Sequence, residues 1–320
     1  MALSPSAKPL NSAPPPLHSV AVIIFFLTIS VAYLPSLQEI DEIATIETFT
    51  TTILPSSPFA LSPLGLGLVR LSFAIFIFGC TVTRIAGTGY ETKTSYHPTS
   101  RLRSAPFRMR RLRILGPFTW WSWVLLGLSF LLSSTVSILA AYGREDLVPP
   151  WLPRLALVTF EISAPNALLV ASIVKYALWP HALKSRGSAG SAVFRSFYGL
   201  VAHNVNVLFV LIEVCFLGGL PIASGHVAIA PLVGIAYVLF AWASAGTWAP
   251  QSGPQFLYFF LDTTLGWAST AALMGLLAVL LAFYTAFSSL GDHLEHLQGG
   301  WLTHLGCVLA ISSLVCRFKD

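Results

Sequence analysis

The stretch from Leu200 to Pro221, LVAHNVNVLFVLIEVCFLGGLP, is long enough to cross a bilayer, yet it carries His203, Asn204, Asn206 and Glu213. Polar groups at membrane depth are costly and are kept where they face a bundle interior or a water-filled cavity. On an ideal helix, at ~100° per residue, His203, Asn206 and Glu213 fall within a sector of roughly 80°. One inward face is therefore expected to carry all three.

A membrane setting agrees with the rest of the chain. Of 320 residues, 55% are hydrophobic and only 10% charged, where a soluble domain carries about 25% charge, and the mean hydropathy is +0.74. Apolar runs at Leu64–Thr83, Pro117–Ala141, Leu155–Trp179, Leu200–Leu220, Val227–Gly246 and Leu265–Leu290 predict an all-α, polytopic transmembrane helix bundle. Residues 64–290 form its six-span core, with an extra span at each end, seven or eight helices in all. Residues 1–19, rich in Ser, Ala and Pro, read as a disordered tail. Residues 20–63 hold the additional first span, Val20–Leu34, and an outer loop with Glu39, Asp41, Glu42 and Glu47 but no Lys or Arg. Residues 291–320 hold an outer loop and a final span, Trp301–Cys316. Trp120, Trp121, Trp123 and Trp179 at span ends are expected at the headgroup level. Ser129, Ser133, Ser137 and Ala141, like Ala278, Ala282 and Ala286, form small-residue stripes that let helices approach closely.

Eight of the eighteen basic residues lie between Arg84 and Gly116, against a single Glu91. Such clustering sets orientation rather than nucleic-acid binding and puts this loop in the cytosol. With eight spans, Lys184, Arg186, Arg195, Arg317 and Lys319 fall on the same side. Either the endoplasmic reticulum or the plasma membrane fits as host. The four cysteines lie in apolar runs and suggest neither a disulfide framework nor a zinc site. Asp292-His293-Leu294-Glu295-His296 lies in an outer loop, lacks a third fixed partner and reads as a solvated turn rather than a metal site. No Walker loop or nucleotide fingerprint occurs, so no cofactor is expected.

Depth counting is the most informative step. Thr119 starts span three, His203 starts span five and Asp262 precedes span seven. At ~1.5 Å of rise per residue, all three fall within roughly 5–8 Å of one level. A hydroxyl, an imidazole and a carboxylate at one level are the parts of an activated nucleophile, and Asn204 or Asn206 can supply an amide donor to a developing oxyanion or bind substrate. Each residue also has a purely structural alternative. Thr119 and Asp262 can cap helix starts, and His203 can simply join two helices. A second polar layer, Arg70, Glu161 and Glu213, lies nearer the other face, where the three groups are expected to neutralise one another or to leave one carboxylate protonated. Pro165, one turn after Glu161, is expected to bend span four.

The segments PFTWWSWVLLGL, AHNVNVLFVLIE, YVLFAW and FLYFFLDTTLG carry a resemblance. Across Leu64–Leu290 the chain resembles the androgen-induced and androgen-dependent-regulator family of six-span membrane proteins. That resemblance implies hydrolysis of fatty acid esters of hydroxy fatty acids by a threonine at the start of one span and a histidine in a later one. The matching positions are Thr119 and His203; Asp262 as a third member rests on its position alone. AHNVN and YFFLD are also similar to segments of the related rolling stone proteins, associated with cell fusion. The expectation is a threonine- and histidine-dependent hydrolase of membrane lipid or acyl esters, its oligomeric state left open. The competing expectation is a transport, binding or organising protein whose polar layers line one path.

Overall fold

The computed structural model describes residues 14–54, 60–296 and 300–320. The expected tail at residues 1–13 therefore lies outside the described residues, and a first helix, α1 (Leu17–Ala32), already begins inside the remainder of that segment. It turns by 70° into α2 (Leu37–Ile43), which is followed by the short α3 (Ile46–Thr50). Ser36 sets the start of α2 by a capping box: its hydroxyl accepts from the Glu39 amide while the Glu39 carboxylate accepts from the Ser36 amide. Those two bonds, with the Ser36 amide first, hold the exposed Glu39 carboxyl below its ordinary range.

The six apolar runs of the core fold as six helices long and apolar enough to cross a membrane. The first is α4 (Pro63–Ala86), started by Pro63 in its first turn and by the Ser62 hydroxyl, which accepts from the Gly65 amide. Leu68, Ile75 and Val82 recur every seven residues along its exposed face, while Arg70, Ala74 and Ile77 are buried. The basic segment that follows is ordered. Strands β1 (Tyr90–Thr92) and β2 (Phe107–Met109) pair antiparallel with Tyr90 opposite Met109, and the Thr94 hydroxyl donates to the Phe256 carbonyl. Helix α5 (Phe118–Ala141) then packs along α4.

The next span comprises α6 (Trp151–Ile173), a π-helical segment (Val174–Leu178) and α7 (Trp179–Arg195). Pro165 lies inside α6, and the Asn166 side chain donates to the Ile162 carbonyl beside it. Inside α7 the chain reverses at Gly187, whose φ of +59° is open to glycine and strained for other residues. The second half of α7 folds back, stacking Phe194 on Trp179 at 5.6 Å between ring centroids. The fifth helix is likewise interrupted: α8 (Phe197–Leu200) and α9 (Asn206–Phe216) are joined by a π turn over Val201–Val205. Helices α10 (Ala230–Ser244) and α11 (Trp267–His296) complete the core.

The terminal helices are shorter. At 1.5 Å per residue, the 16 residues of α1 and of α12 (Gly300–Val315) span ~24 Å, against ~30 Å of bilayer hydrocarbon. α1 counts as a seventh span only together with the bent α2. Both nevertheless run along the bundle. α1 starts beside α11, where His18 stacks on Trp267 and Ser19 hydrogen-bonds Thr270, and it hands over to α2 and α3 at the opposite end. α12 starts near Cys215, whose carbonyl accepts from His304, and ends at Asn204.

Lipid is as apolar as a leucine side chain, so close packing and interhelical hydrogen bonds hold such helices together. Ser129, Ser133 and Ser137 are buried on α5 as the small-residue stripe requires. The tryptophans at span ends are packed inward. Trp120, Trp123 and Trp179 are buried against neighbouring helices, and Trp123 donates to the Ile77 carbonyl of α4. Asp292 and His293 belong to α11 and not to a turn, with His293 bonded to the Ser289 carbonyl; the side chains of Glu295 and His296 lie outside the described residues.

Candidate functional site

Thr119 and His203 meet. The Thr119 Oγ1 lies 3.3 Å from the His203 Nε2. Thr119 is the second residue of α5, whose N-cap, Pro117, offers no side-chain oxygen to the orphan amides of the first turn. Its hydroxyl therefore points across to the neighbouring helix. His203 sits in the π turn, a distortion that often marks functional sites because it re-aims side chains. Its Nδ1 is buried with no partner in hydrogen-bonding geometry among the described residues, although the Gly199 carbonyl one turn earlier acts on the ring. Phe194 covers the imidazole from the folded-back half of α7, 5.8 Å between centroids.

Two cavities border this site, and Thr119 lines both. An apolar cavity of about 120 Å³ lies between α1, α5, α6 and α10, lined by Phe26, Leu169, Ile173 and Val238 among others. A more polar one of about 180 Å³ opens under the basic segment and the turn of α7, and His203 lines it. Thr119, Leu178 and Tyr258 line both. Burial pushes the Tyr258 phenol above its ordinary range, while the Thr119 hydroxyl and the Thr119 and Phe118 amides at the start of α5 act in the other direction. A protonated phenol thus stands beside the Thr119 hydroxyl.

The remaining residues singled out by the sequence do other work. Asp262 is buried, and its carboxylate accepts from the Ser100 hydroxyl, from the Thr264 amide at 2.8 Å and from the Thr264 hydroxyl at 2.7 Å. It caps a short 3-10 turn and pins the basic segment. It lines neither cavity, and no hydrogen bond joins it to His203 among the described residues. The expected third member of the site is therefore not assembled. Asn204 donates to the Arg317 carbonyl at 2.7 Å and accepts from the Arg317 amide at 3.1 Å. Its amide holds the end of α12, and Asn204 lines neither cavity. Asn206 accepts from the Val207 amide, and its Nδ2 is buried without a partner among the described residues, away from both cavities.

The second polar layer separates into two pairs. Arg70 donates from Nε and Nη2 to Glu213, at 3.0 and 2.5 Å, and from Nη1 to the Phe49 carbonyl and the Ser137 hydroxyl. A side chain at Gly218 would collide with this guanidinium. Glu161 does not join them. It pairs with His226 Nδ1 at 2.9 Å and accepts from the Ala223 amide, while the Tyr284 hydroxyl donates to the Ala223 carbonyl. His203 meets Thr119 of α5, and Glu213, two to three turns on, meets Arg70 of α4. The pattern of charges alone missed His226, which carries no motif, and Tyr258, which reads as one more aromatic in FLYFFLDTT.

Compared with known proteins, the chain matches no family model, no curated protein and no solved structure. Among the described residues no group of three or more His, Cys, Asp or Glu side chains is arranged to hold a metal ion.

Proposed function

We propose that this multi-pass membrane protein is a hydrolase of lipid esters, of the kind implied by its resemblance to the androgen-induced family. The carrying observation is the 3.3 Å approach of Thr119 to His203, with Thr119 lining both an apolar and a polar cavity. Thr119 Oγ1 attacks the acyl carbonyl while His203 Nε2 takes its proton. The tetrahedral oxyanion is met by the Tyr258 hydroxyl and by the first amides of α5, groups already fixed by the fold. Collapse releases the alcohol, which takes the proton back from His203, and leaves an acyl-threonine. Water, deprotonated by His203, then repeats the sequence and frees the acid. The acyl chain lies in the apolar cavity. The ester enters from the leaflet on the side of the basic segment, which this reading assigns to the cytosol of an endoplasmic reticulum or plasma membrane protein.

Thr119→Ala and His203→Ala should each lower ester hydrolysis by at least ~10³-fold, the scale seen when one member of a concerted site is removed. Labelling by a fluorophosphonate probe should be lost with it, while the melting temperature in detergent changes little. Undiminished labelling of both variants would end the hydrolase reading.

A further inference from the structure

The cavity beside Thr119 and His203 is lined by Arg84, Lys93 and Arg186, and among the described residues no Asp or Glu lines it. Arg84, in the last turn of α4, is held by rings instead of by an acid. Its guanidinium carbon lies 4.3 Å from the Tyr90 ring centroid and 4.8 Å from that of Tyr198. Its Nε is buried with no hydrogen-bond partner, and no ion pair engages the guanidinium among the described residues. A buried N–H without an acceptor weakens a fold. The same helix shows that this is no limit of the architecture, since Arg70 is matched by Glu213, Phe49 and Ser137. Ring contacts act on the π face of a guanidinium, and Nε in its plane is left for an acceptor, which an oxygen of a carboxylate or a phosphate fits.

This cavity borders the apolar one, and Thr119, Leu178 and Tyr258 line both. An anion seated at Arg84 can therefore extend as hydrocarbon. We propose that the two cavities together form a receptor for a single-chain anionic amphiphile, with Arg84 holding a carboxylate or phosphate head and the chain lying beyond Thr119. A molecule so bound covers Thr119, so a free long-chain acid inhibits the site. That regulatory consequence rests on the hydrolase reading; the binding itself does not.

The experiment uses full-length Thr119→Ala protein in neutral detergent, which binds without turnover, titrated with hexadecanoate, hexadecyl phosphate and hexadecanol. Affinity is read by tryptophan fluorescence and by the shift in melting temperature. At least one anion should bind more tightly than the alcohol, and Arg84→Gln on this background should weaken that anion by ~10-fold or more while leaving the alcohol unchanged. Preference for hexadecanoate identifies a fatty acid, and preference for hexadecyl phosphate identifies a phosphate head. Arg84→Lys keeps the charge but not the fork, and it too should lose affinity, which serves where the Gln variant is unfolded. Anions bound no better than hexadecanol, or affinity undiminished in both Arg84 variants, would overturn the receptor. If anion binding depends on Arg84 but the native sequence takes up no fluorophosphonate, the receptor stands and the hydrolase reading fails.

Discussion

Two arginines on one helix summarise the difference between the two polar layers. Arg70 is closed: its guanidinium meets a carboxylate, a carbonyl and a hydroxyl, all buried with it. The Glu161–His226 pair is also matched, down to the Ala223 amide. Arg84 is open, and so is its surroundings: His203 Nδ1 and Arg84 Nε are buried without hydrogen-bond partners among the described residues, and both residues face a cavity. The matched layer has satisfied its chemistry internally and is read as structure. On the proposed reading, the unmatched layer keeps donors and acceptors for a bound molecule.

That contrast is broken most severely at Glu213. Glu213→Ala leaves the Arg70 charge buried and uncompensated and should destabilise the protein by ~3–5 kcal/mol, measured by denaturation in detergent. The double replacement Arg70→Met with Glu213→Leu should recover most of that loss. A carrier whose path runs through this layer would instead keep its stability and lose flux. In the open layer, Tyr258→Phe removes the hydroxyl that the hydrolase reading assigns to the oxyanion. It should lower kcat by ~10²-fold with little change in KM.

Asp262 tests where the boundary between the layers falls. As the cap of its 3-10 turn and the anchor of Ser100, it should cost ~1 kcal/mol of stability on conversion to Ala and leave probe labelling intact; loss of labelling at unchanged stability would return it to the site. The smallest effect is expected at Asp320. Its carboxyl is held below the ordinary carboxylate range, first by the hydrogen bond from Trp179 and then by Ser191, with Arg195 adding its charge. A depressed folded-state pKa contributes stability that is present above the unfolded value, about 3.9, and is lost as pH falls through the lower folded one. The native sequence should therefore melt slightly above Asp320→Asn at neutral pH, and the two curves should converge below about pH 4.

Much of the bundle was legible because apolar length is a one-dimensional signal. The six core helices follow the apolar runs, and counting 1.5 Å per residue placed Thr119 and His203 at one depth. Partners were harder to read. Nothing in AHNVN says that Asn204 grips the Arg317 backbone, because the contact depends on where α12 ends. Glu161 finds His226 in the approach to α10 instead of a charge on another span, and the two π turns shift helix faces that an ideal period predicts. Arg84 was counted only as a charge that sets orientation. Its ring contacts come from Tyr90 in a strand and Tyr198 in a later helix, which no local pattern connects.

The most direct measurement maps the covalent adduct left by a fluorophosphonate probe, by proteolysis and mass spectrometry of the labelled native protein in detergent. The account predicts the modification on the peptide containing Thr119, at its hydroxyl, and its disappearance when His203 is replaced by Ala. An adduct on any other residue, or none on folded protein, would contradict it.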